Sequence, residues 1–451
     1  MHLKTFKLIS CILQTLISHE SLLPKEMLQG YLNSILKKRE VLLESAARFG
    51  TPQYFFDEPS LVSRIGQFKA AFARYINPFR AFYAMKSNSF SGVCRRVVSE
   101  GMGLDVSSGL ELSSALDMGC KEIVFSGPGK TDEEIRFAVQ NRSRVTLLMD
   151  SFGELERLSE ILKRENLQGE FIRVGVRVRI KGSWNKFGIP LKDLAIMLWK
   201  AHAVRAIEAC GIQFHTSWNL EPTSQVRMIK EIGSYISQHV SKNLWSFVSF
   251  LDIGGGYWPE LGEWLNPQNT SKGKLIKLMD PQFRFGNEHY YRKAKPLDYF
   301  AREIANVLSA QGPPLCEIEV WMEPGRWVSN PAMHILVTAV DKKDPWTVVT
   351  DGGTNLLGWE RPLDEFIPII NLTQPLLTEH RLSVFGPLCT PHDIWGESIF
   401  GNDVSAGHIL IIPDQGAYTY SLRQSFIKPK AKVIQYDGSV LEEVKKEESL
   451  V

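Results

Sequence analysis

The chain has few cysteines, and they lack the spacings that mark a disulfide framework or a zinc site. Six cysteines, at positions 11, 94, 120, 210, 316 and 389, are scattered over 451 residues without a Cys-x-x-Cys pair. Disulfide-rich secreted domains and structural zinc sites both depend on closely spaced cysteines. We therefore expect reduced thiols, no metal site and a cytoplasmic protein.

An excess of charge of either sign is also missing. The chain has 52 Lys and Arg residues against 50 Asp and Glu residues, which gives a formal net charge of +2. Electrostatic binding to nucleic acid or to anionic membranes requires a basic surplus, so neither partner is expected. A content of 44% hydrophobic and 23% charged residues is typical of globular proteins, and 451 residues exceed what one core usually organises. We expect a two-domain enzyme that acts on a small molecule.

No hydrophobic run is long enough to cross a membrane. The apolar stretch Leu8–Ile17 follows Lys4 and Lys7 and superficially resembles a secretion signal. It is interrupted by Gln14 and Thr15, has no convincing cleavage site after it, and falls short of the roughly 20 residues of a membrane span. We interpret it as an amphipathic helix.

A regular alternation of strands and helices is present from about residue 79 onward. Short apolar runs rich in branched and aromatic residues alternate with segments of helical periodicity, as in parallel strands joined by crossover helices. Eight strands are predicted: Arg80–Met85, Leu104–Ser107, Glu122–Ser126, Val145–Asp150, Ile172–Ile180, Gly211–His215, Phe247–Gly254 and Glu317–Glu323. Eight such units predict a closed (β/α)8 barrel of the TIM type.

The pattern changes after the eighth predicted strand. It continues as strands without regular helices: Met333–Val340, Thr347–Asp351, Ser383–Phe385, His408–Ile412 and Ala431–Tyr436. The predicted organisation is an N-terminal helical extension (1–45), a segment whose strand joins the β domain (46–60), the barrel (61–328) and a C-terminal β domain (329–451). Residues 257–295 interrupt the barrel pattern, and we interpret them either as a lid or binding loop or as a surface insertion.

Lys86 gives the most specific indication of chemistry. A lysine at the end of a buried strand is a candidate for an imine with an aldehyde cofactor, although a structural lysine gives the same local pattern. The consecutive Gly254, Gly255 and Gly256 allow backbone N–H groups to surround a phosphate, and Arg326 would add charge on the same rim. In isolation the glycines could equally form a tight turn. Together these residues predict pyridoxal phosphate.

Glu323 and His215 would then have defined tasks. A carboxylate beside the pyridine nitrogen keeps that nitrogen protonated, which makes the ring a stronger electron sink for the carbanion left by a departing α-carboxylate. The His215 side chain could stack on the ring. Each residue also has a simpler interpretation, as a salt-bridge partner and as a core histidine respectively.

Several motifs, taken in order, resemble the fold-type III pyridoxal-phosphate decarboxylases, the group that contains ornithine, diaminopimelate and arginine decarboxylases. The resemblance covers nearly everything from Phe49 to Lys428. It rests on Tyr83-Ala84-Met85-Lys86-Ser87-Asn88, Leu104-Asp105-Val106-Ser107-Ser108-Gly109-Leu110-Glu111-Leu112, Asp252-Ile253-Gly254-Gly255-Gly256-Tyr257, Glu323-Pro324-Gly325-Arg326, Gly386-Pro387-Leu388-Cys389 and Gly416-Ala417-Tyr418-Thr419. The segments Ser126-Gly127-Pro128-Gly129-Lys130 and Asn185-Lys186-Phe187-Gly188-Ile189 favour the diaminopimelate decarboxylase branch.

The resemblance implies a homodimer with shared active sites and a role for each matching residue. Lys86 would bind the cofactor as an imine, His215 would stack on its ring, and Glu323 would bind its pyridine nitrogen. Asp105 and Glu111 would support the lysine and the histidine. The other implied residues are Gly254, Gly255, Gly256, Gly325, Arg326 and Tyr418 for the cofactor, Arg361, Asp393 and Tyr418 for the substrate, and, from the other subunit, Cys389 to protonate the carbanion.

Three positions depart from the family pattern. His215 is followed by Thr216-Ser217-Trp218, where a glycine and a phosphate-binding serine are usual. Thr390 stands where the diaminopimelate enzymes carry a glutamate, and no tyrosine follows Arg361-Pro362 closely. The latter two positions recognise the far end of the substrate, so the reaction is better indicated than the substrate.

We expect an α-decarboxylase for an amino acid with a polar or carboxylated far end, similar to the diaminopimelate decarboxylases of lysine biosynthesis. The alternatives are a decarboxylase of a conjugated siderophore or secondary-metabolite intermediate, an amino-acid racemase on the same fold, and a catalytically silent regulatory relative. Glu323 argues against the racemase, because racemases favour a weaker electron sink. Retention of Lys86, Glu323 and Cys389 argues against a silent protein.

Overall fold

The computed structural model describes residues 20–165, 171–313, 315–358 and 365–448. Internal contacts divide the chain into two compact units. The barrel unit contains residues 62–258 and 295–328, and the β unit contains residues 1–61, 259–294 and 329–451. Residues 259–294, which interrupt the barrel pattern in the sequence, group by their contacts with the β unit.

Eight parallel strands form the centre of the barrel unit. In chain order they are Phe79–Ala84, Gly103–Val106, Ile123–Phe125, Val145–Met149, Ile172–Arg179, Ile207–Gln213, Val248–Asp252 and Glu319–Met322. Each pairs with its neighbours in that order, and the last pairs with the first, so the sheet closes on itself. The predicted (β/α)8 barrel is confirmed.

Helices connect these strands, as crossover connections between parallel strands require. The helices of eight residues or more are Ser91–Ser99, Gly109–Asp117, Asp132–Gln140, Phe152–Glu165, Leu194–His202, Thr223–His239 and Leu297–Gln311, preceded by Glu58–Ala73. Their starts follow local rules: Ser108 and Thr131 accept hydrogen bonds from the backbone N–H groups of Glu111 and Glu134. One boundary differs from prediction, because the sixth strand, expected at Gly211–His215, spans Ile207–Gln213 and follows the helix that ends at His202.

The barrel interior is filled by aromatic rings that require small neighbours. The rings of Phe250 and Trp321 stack with centroids 3.6 Å apart, and Phe82 packs against the same tryptophan at 4.8 Å. A Cβ atom on Gly211 would lie 2.1 Å from the Phe250 ring, and one on Gly175 would lie 2.4 Å from Leu148. Gly211 and Gly175 therefore provide the space that the ring stack occupies.

A nine-stranded sheet forms the core of the β unit. In spatial order its strands are Thr347–Thr350, Glu379–Phe385, Ile394–Phe400, Ile370–Asn371, Ile409–Ile412, Met333–Asp344, Gln53–Asp57, Lys432–Tyr436 and Leu441–Lys445. The N-terminal strand Gln53–Asp57 pairs antiparallel with Met333–Asp344 and parallel with Lys432–Tyr436. The β-rich second domain expected from the sequence is therefore present.

A smaller sheet and three helices complete the described part of the β unit. Glu20–Leu22 and Glu263–Leu265 both pair with Tyr290–Arg292, so the interrupting segment has regular structure of its own. The helices are Lys25–Leu36, Arg39–Phe49 and Ser271–Met279. The predicted helix Leu8–Ile17 lies outside the described residues. Within them, no helix combines the length and apolar character needed to cross a bilayer.

We expect Gly211→Ala to lower the stability of the barrel, because the added methyl group would force the Phe250 and Trp321 rings apart. Overpacking of this kind costs about 1–3 kcal/mol. Gly66→Ala is the matched control, since Gly66 lies in the helix Glu58–Ala73 with nothing within 4 Å of an added Cβ. There alanine should stabilise the helix by about 0.5–1 kcal/mol. Thermal unfolding of both variants would contradict the packing argument if the two midpoints moved in the same direction.

Candidate active site

Lys86 lies directly after the first barrel strand and contacts a buried carboxylate. Its Nζ lies 3.0 Å from Oδ2 of Asp105, at the end of the neighbouring strand. The lysine side chain is 39% exposed, whereas Asp105 is fully buried. The Ser126 hydroxyl donates to the other oxygen, Oδ1, at 2.6 Å. Burial raises the pKa of Asp105, and the charge of Lys86 opposes that effect. The lysine amine is thus fixed in place while its outer side remains open to a ligand.

Glu323 follows the last barrel strand and is held by two side chains from the sixth strand and its end. Gln213 Nε2 donates to Oε1 at 3.2 Å, and His215 Nδ1 lies 3.3 Å from Oε2. Burial favours protonation of Glu323, but the hydrogen bond and charge of His215, followed by the charge of Lys86, outweigh it and lower its pKa to about 2. Glu323 is therefore a buried carboxylate at neutral pH.

The triple glycine lies between the strand ends that carry His215 and Glu323. Gly254 and Gly256 have φ values of +67° and +81°, which side chains rarely adopt. A Cβ on Gly255 would lie 2.1 Å from the Glu323 carbonyl oxygen. The glycines therefore permit a close backbone approach, with the Glu323 N–H donating to the Gly254 carbonyl at 2.8 Å. The bare backbone has the shape that a phosphate cradle requires.

An aromatic pair surrounds Arg326 beside this loop. Its guanidinium lies 4.5 Å from the Trp258 ring centroid and 5.9 Å from that of Trp218. Trp218, one of the departures from the family pattern in the sequence, has φ +55° and is 56% exposed. Asn219 Nδ2 donates to the Thr216 hydroxyl oxygen at 2.9 Å, so Asn219 fixes the altered segment. A hydroxyl at position 218 is absent, and Thr216 and Ser217 provide the hydroxyl groups there.

The barrel residues match the chemical groups of pyridoxal phosphate. Lys86 supplies an amine for the aldehyde, and Glu323 supplies an anion suited to a protonated pyridine nitrogen. The glycine loop permits the close approach of a phosphate, although its Gly254 and Gly255 N–H groups donate to Asp252 and His215, and Arg326 supplies charge suited to a phosphate. The charge of Lys86 acts on both Asp105 and Glu323, which indicates that these groups share one site.

Cys389 lies in the β unit, in an exposed loop between two strands. Asp393, four residues later, is 1% exposed and holds this loop from inside. Its Oδ2 accepts the Leu388 N–H at 2.6 Å, and its Oδ1 accepts the Thr354 N–H at 2.7 Å and the Thr354 hydroxyl at 2.9 Å. Three donors of its own unit therefore bind this buried carboxylate, and the predicted substrate contact of Asp393 stays a prediction.

Tyr418 also lies in the β unit, with φ +58°. A non-glycine residue in this region of backbone space costs on the order of 1 kcal/mol and often marks a functional position. Arg361 lies outside the described residues.

The sequence prediction missed Gln213 and Ser126 as partners of Glu323 and Asp105. Their place at or just after strand ends was the available signal, but a strand end does not reveal which side chain turns toward the site.

Three comparisons with known proteins agree with this geometry. Residues 59–330, more than half of the chain, match the family described as pyridoxal-dependent decarboxylase, pyridoxal binding domain. A diaminopimelate decarboxylase from Methanothermobacter thermautotrophicus is 25% identical over 424 residues, which are 88% of this chain and 90% of that protein. A 2-[(L-alanin-3-ylcarbamoyl)methyl]-2-hydroxybutanedioate decarboxylase from Staphylococcus aureus is 24% identical over 365 residues, 76% of this chain and 83% of that protein.

The fold is shared with solved structures as well. Helicobacter pylori diaminopimelate decarboxylase, crystallised with L-lysine, superimposes with a TM-score of 0.73 at 22% identity. The match covers 91% of this chain and 97% of that one. At this identity the similarity shows the fold.

Proposed function

Because the chain belongs to the pyridoxal-dependent decarboxylases, we propose that it releases the α-carboxylate of an amino acid whose far end is polar or carboxylated. The observation that carries this proposal is that a partly exposed lysine, bound to Asp105, and a buried, ionised glutamate, bound to His215, lie on one barrel rim. Pyridoxal phosphate, when bound, supplies the electron sink for the pair of electrons left by the departing carbon dioxide.

The proposed roles follow from the chemistry of each side chain. Lys86 binds the cofactor aldehyde, and Asp105 orients the lysine amine. Glu323 holds a proton on the pyridine nitrogen, because a carboxylate of low pKa stabilises the cation beside it. His215 packs against the ring while its Nδ1 steadies Glu323. Gly254, Gly255, Gly256, Gly325, Arg326 and Tyr418 bind the phosphate.

The proposed assembly is a cytoplasmic homodimer in which each active site uses both chains. Cys389 supports this proposal through its motif and its exposure, since an exposed thiol is available to a neighbouring subunit. In this assembly the thiol protonates the α-carbon after carbon dioxide leaves, which fixes the stereochemistry of the product.

The proposed substrate class rests on the loop after Cys389. Thr390, Pro391 and His392 supply no carboxylate, and the Asp393 carboxylate is occupied by donors of its own unit. A free ammonium at the far end of the substrate would therefore lack an anionic partner from this loop. Arg361 offers a donor fork suited to a distal carboxylate. Diaminopimelate, which carries both groups, and carboxylated conjugates like the substrate of the Staphylococcus aureus relative are the leading candidates.

Lys86→Ala should abolish the covalent attachment of the cofactor and reduce turnover by more than about 1000-fold, because the reacting amine is removed. Borohydride reduction followed by peptide mapping would detect the attachment. Lys121→Ala, an exposed lysine elsewhere in the barrel unit, is the control and should retain both properties. Cofactor trapped on Lys86→Ala protein would refute the assignment.

Mixing Lys86→Ala chains with Cys389→Ala chains should restore activity. Each variant alone is expected to be inactive, whereas a heterodimer contains one site with both residues intact. Differently tagged chains allow the heterodimer to be purified and its activity compared with that of each parent. A verified heterodimer without activity would exclude the shared site.

Substrates with a carboxylated far end should exceed ornithine in kcat/KM by more than about tenfold, because losing a buried charge partner costs about 2–5 kcal/mol. Steady-state comparison of meso-diaminopimelate, ornithine, lysine, arginine and carboxylated conjugates measures this. Arg361→Gln should remove the preference while leaving ornithine turnover little changed. Ornithine as the best substrate would contradict the proposed class.

A further inference from the structure

A second buried carboxyl group lies at the strand end next to that of Glu323. Asp252 is the last residue of the strand Val248–Asp252, and this strand pairs in parallel with Glu319–Met322, which Glu323 follows. Asp252 is fully buried. Its Oδ1 accepts the Gly254 N–H at 2.9 Å, so the side chain also supports the glycine loop.

The other oxygen of Asp252 has no conventional partner. Oδ2 is buried, and none of the described residues donates an N–H or O–H to it. A buried carboxylate oxygen without a donor costs several kcal/mol, because the charge loses its hydration without replacement. A carboxylic acid avoids this cost, since its O–H is itself a donor that needs only an acceptor.

The nearby charges favour the acid form of Asp252. Burial, followed by repulsion from Glu323, raises the pKa of Asp252 well above its usual range. Asp105 adds further repulsion, while Lys86 lies against Asp105 and the charge of His215 acts on Glu323. Ionising all three carboxyl groups would place three anions in one buried site, where Lys86 and His215 are the positive charges that act on Glu323. Paired carboxyl groups in such surroundings retain one proton between them.

We propose that Asp252 is a positioning residue that carries a proton on Oδ2 and donates it to the Glu323 carboxylate. Glu323 then has three neighbours of its own chain: Gln213 on Oε1, His215 on Oε2, and the Asp252 hydroxyl. The neutral Asp252 holds the glutamate in one orientation without neutralising it. Glu323 therefore stays an anion toward the cofactor nitrogen. This inference rests on the proposed role of Glu323.

Asp252→Asn tests the proton directly, because asparagine reproduces the neutral acid. Its Oδ1 can still accept the Gly254 N–H, and its Nδ2 can donate to Glu323. Infrared difference spectra of the cofactor-free proteins at neutral pH, wild type minus variant, should contain one protonated-carboxyl C=O band. Asp57→Asn is the matched control, since Asp57 is equally buried but paired with Lys38, and its difference spectrum should contain no such band. A carboxylate band in place of the acid band for Asp252→Asn would overturn the proposal.

Asp252→Val tests the donor, because valine is similar in volume to aspartate but has no hydrogen-bond donor in its side chain. In the cofactor-loaded enzymes, Asp252→Asn should keep the visible absorbance, its pH dependence and a turnover within about threefold of wild type. Asp252→Val should change the pH dependence of the absorbance and lose at least about tenfold in kcat, because Glu323 loses its third donor. Equal impairment of both variants would contradict the donor role.

The infrared test of Asp252 and the activity test of the proposed function can each fail without the other. The infrared band concerns the cofactor-free protein, so it decides the protonation of Asp252 even if the wild-type enzyme decarboxylates none of the tested amino acids. A variant that does not fold is recognised by its circular dichroism. If Asp252→Val does not fold, the infrared spectrum and the Asp252→Asn profile still decide the proposal.

Discussion

The buried negative charge of Glu323 is the constraint on which the described active site depends. An ionised carboxylate inside a protein is stable only when hydrogen bonds and opposite charges replace its hydration. Gln213 and His215 supply two of those hydrogen bonds, and the charge of Lys86 adds to them. Gln213 ends the sixth barrel strand and His215 follows it, whereas Lys86 follows the first strand and Glu323 the last. The site thus exists because the closed barrel brings separate strand ends to one rim.

The glycines are part of the same constraint. The Gly254 carbonyl accepts the Glu323 backbone N–H, and Gly255 leaves no room for a side chain beside the Glu323 carbonyl. The loop thereby fixes the backbone of the residue whose side chain His215 and Gln213 hold. One short segment thus contributes to the proposed phosphate site and also fixes the proposed partner of the pyridine nitrogen, since any residue larger than glycine would move Glu323.

Much of this arrangement could be predicted from the sequence, because parallel strands leave a strong periodic signal. The eight strands and the rim positions of Lys86, His215 and Glu323 followed from short apolar runs and from the residues after them. The sixth strand begins earlier than expected because Ile207–Gln213 is compatible with both helix and strand, and pairing with both neighbours decides between them. The surroundings of Asp393 were not predicted for a related reason: a sequence shows a carboxylate near a cysteine, but not that Leu388 and Thr354 donate to it.

The residues proposed for the reaction and those proposed for substrate recognition lie in different parts of the chain. The residues proposed for decarboxylation, Lys86, His215 and Glu323, are held within the barrel unit at its strand ends. The residues proposed to recognise the far end of the substrate lie instead in loops of the β unit, such as the segment after Cys389. Changing Thr390 or His392 would alter no described bond to Asp105 or Glu323, since both carboxylates are fixed within the barrel unit. A chain built in this way can change its substrate while it keeps its reaction, which is why family membership identifies the chemistry here more firmly than the amino acid it acts on.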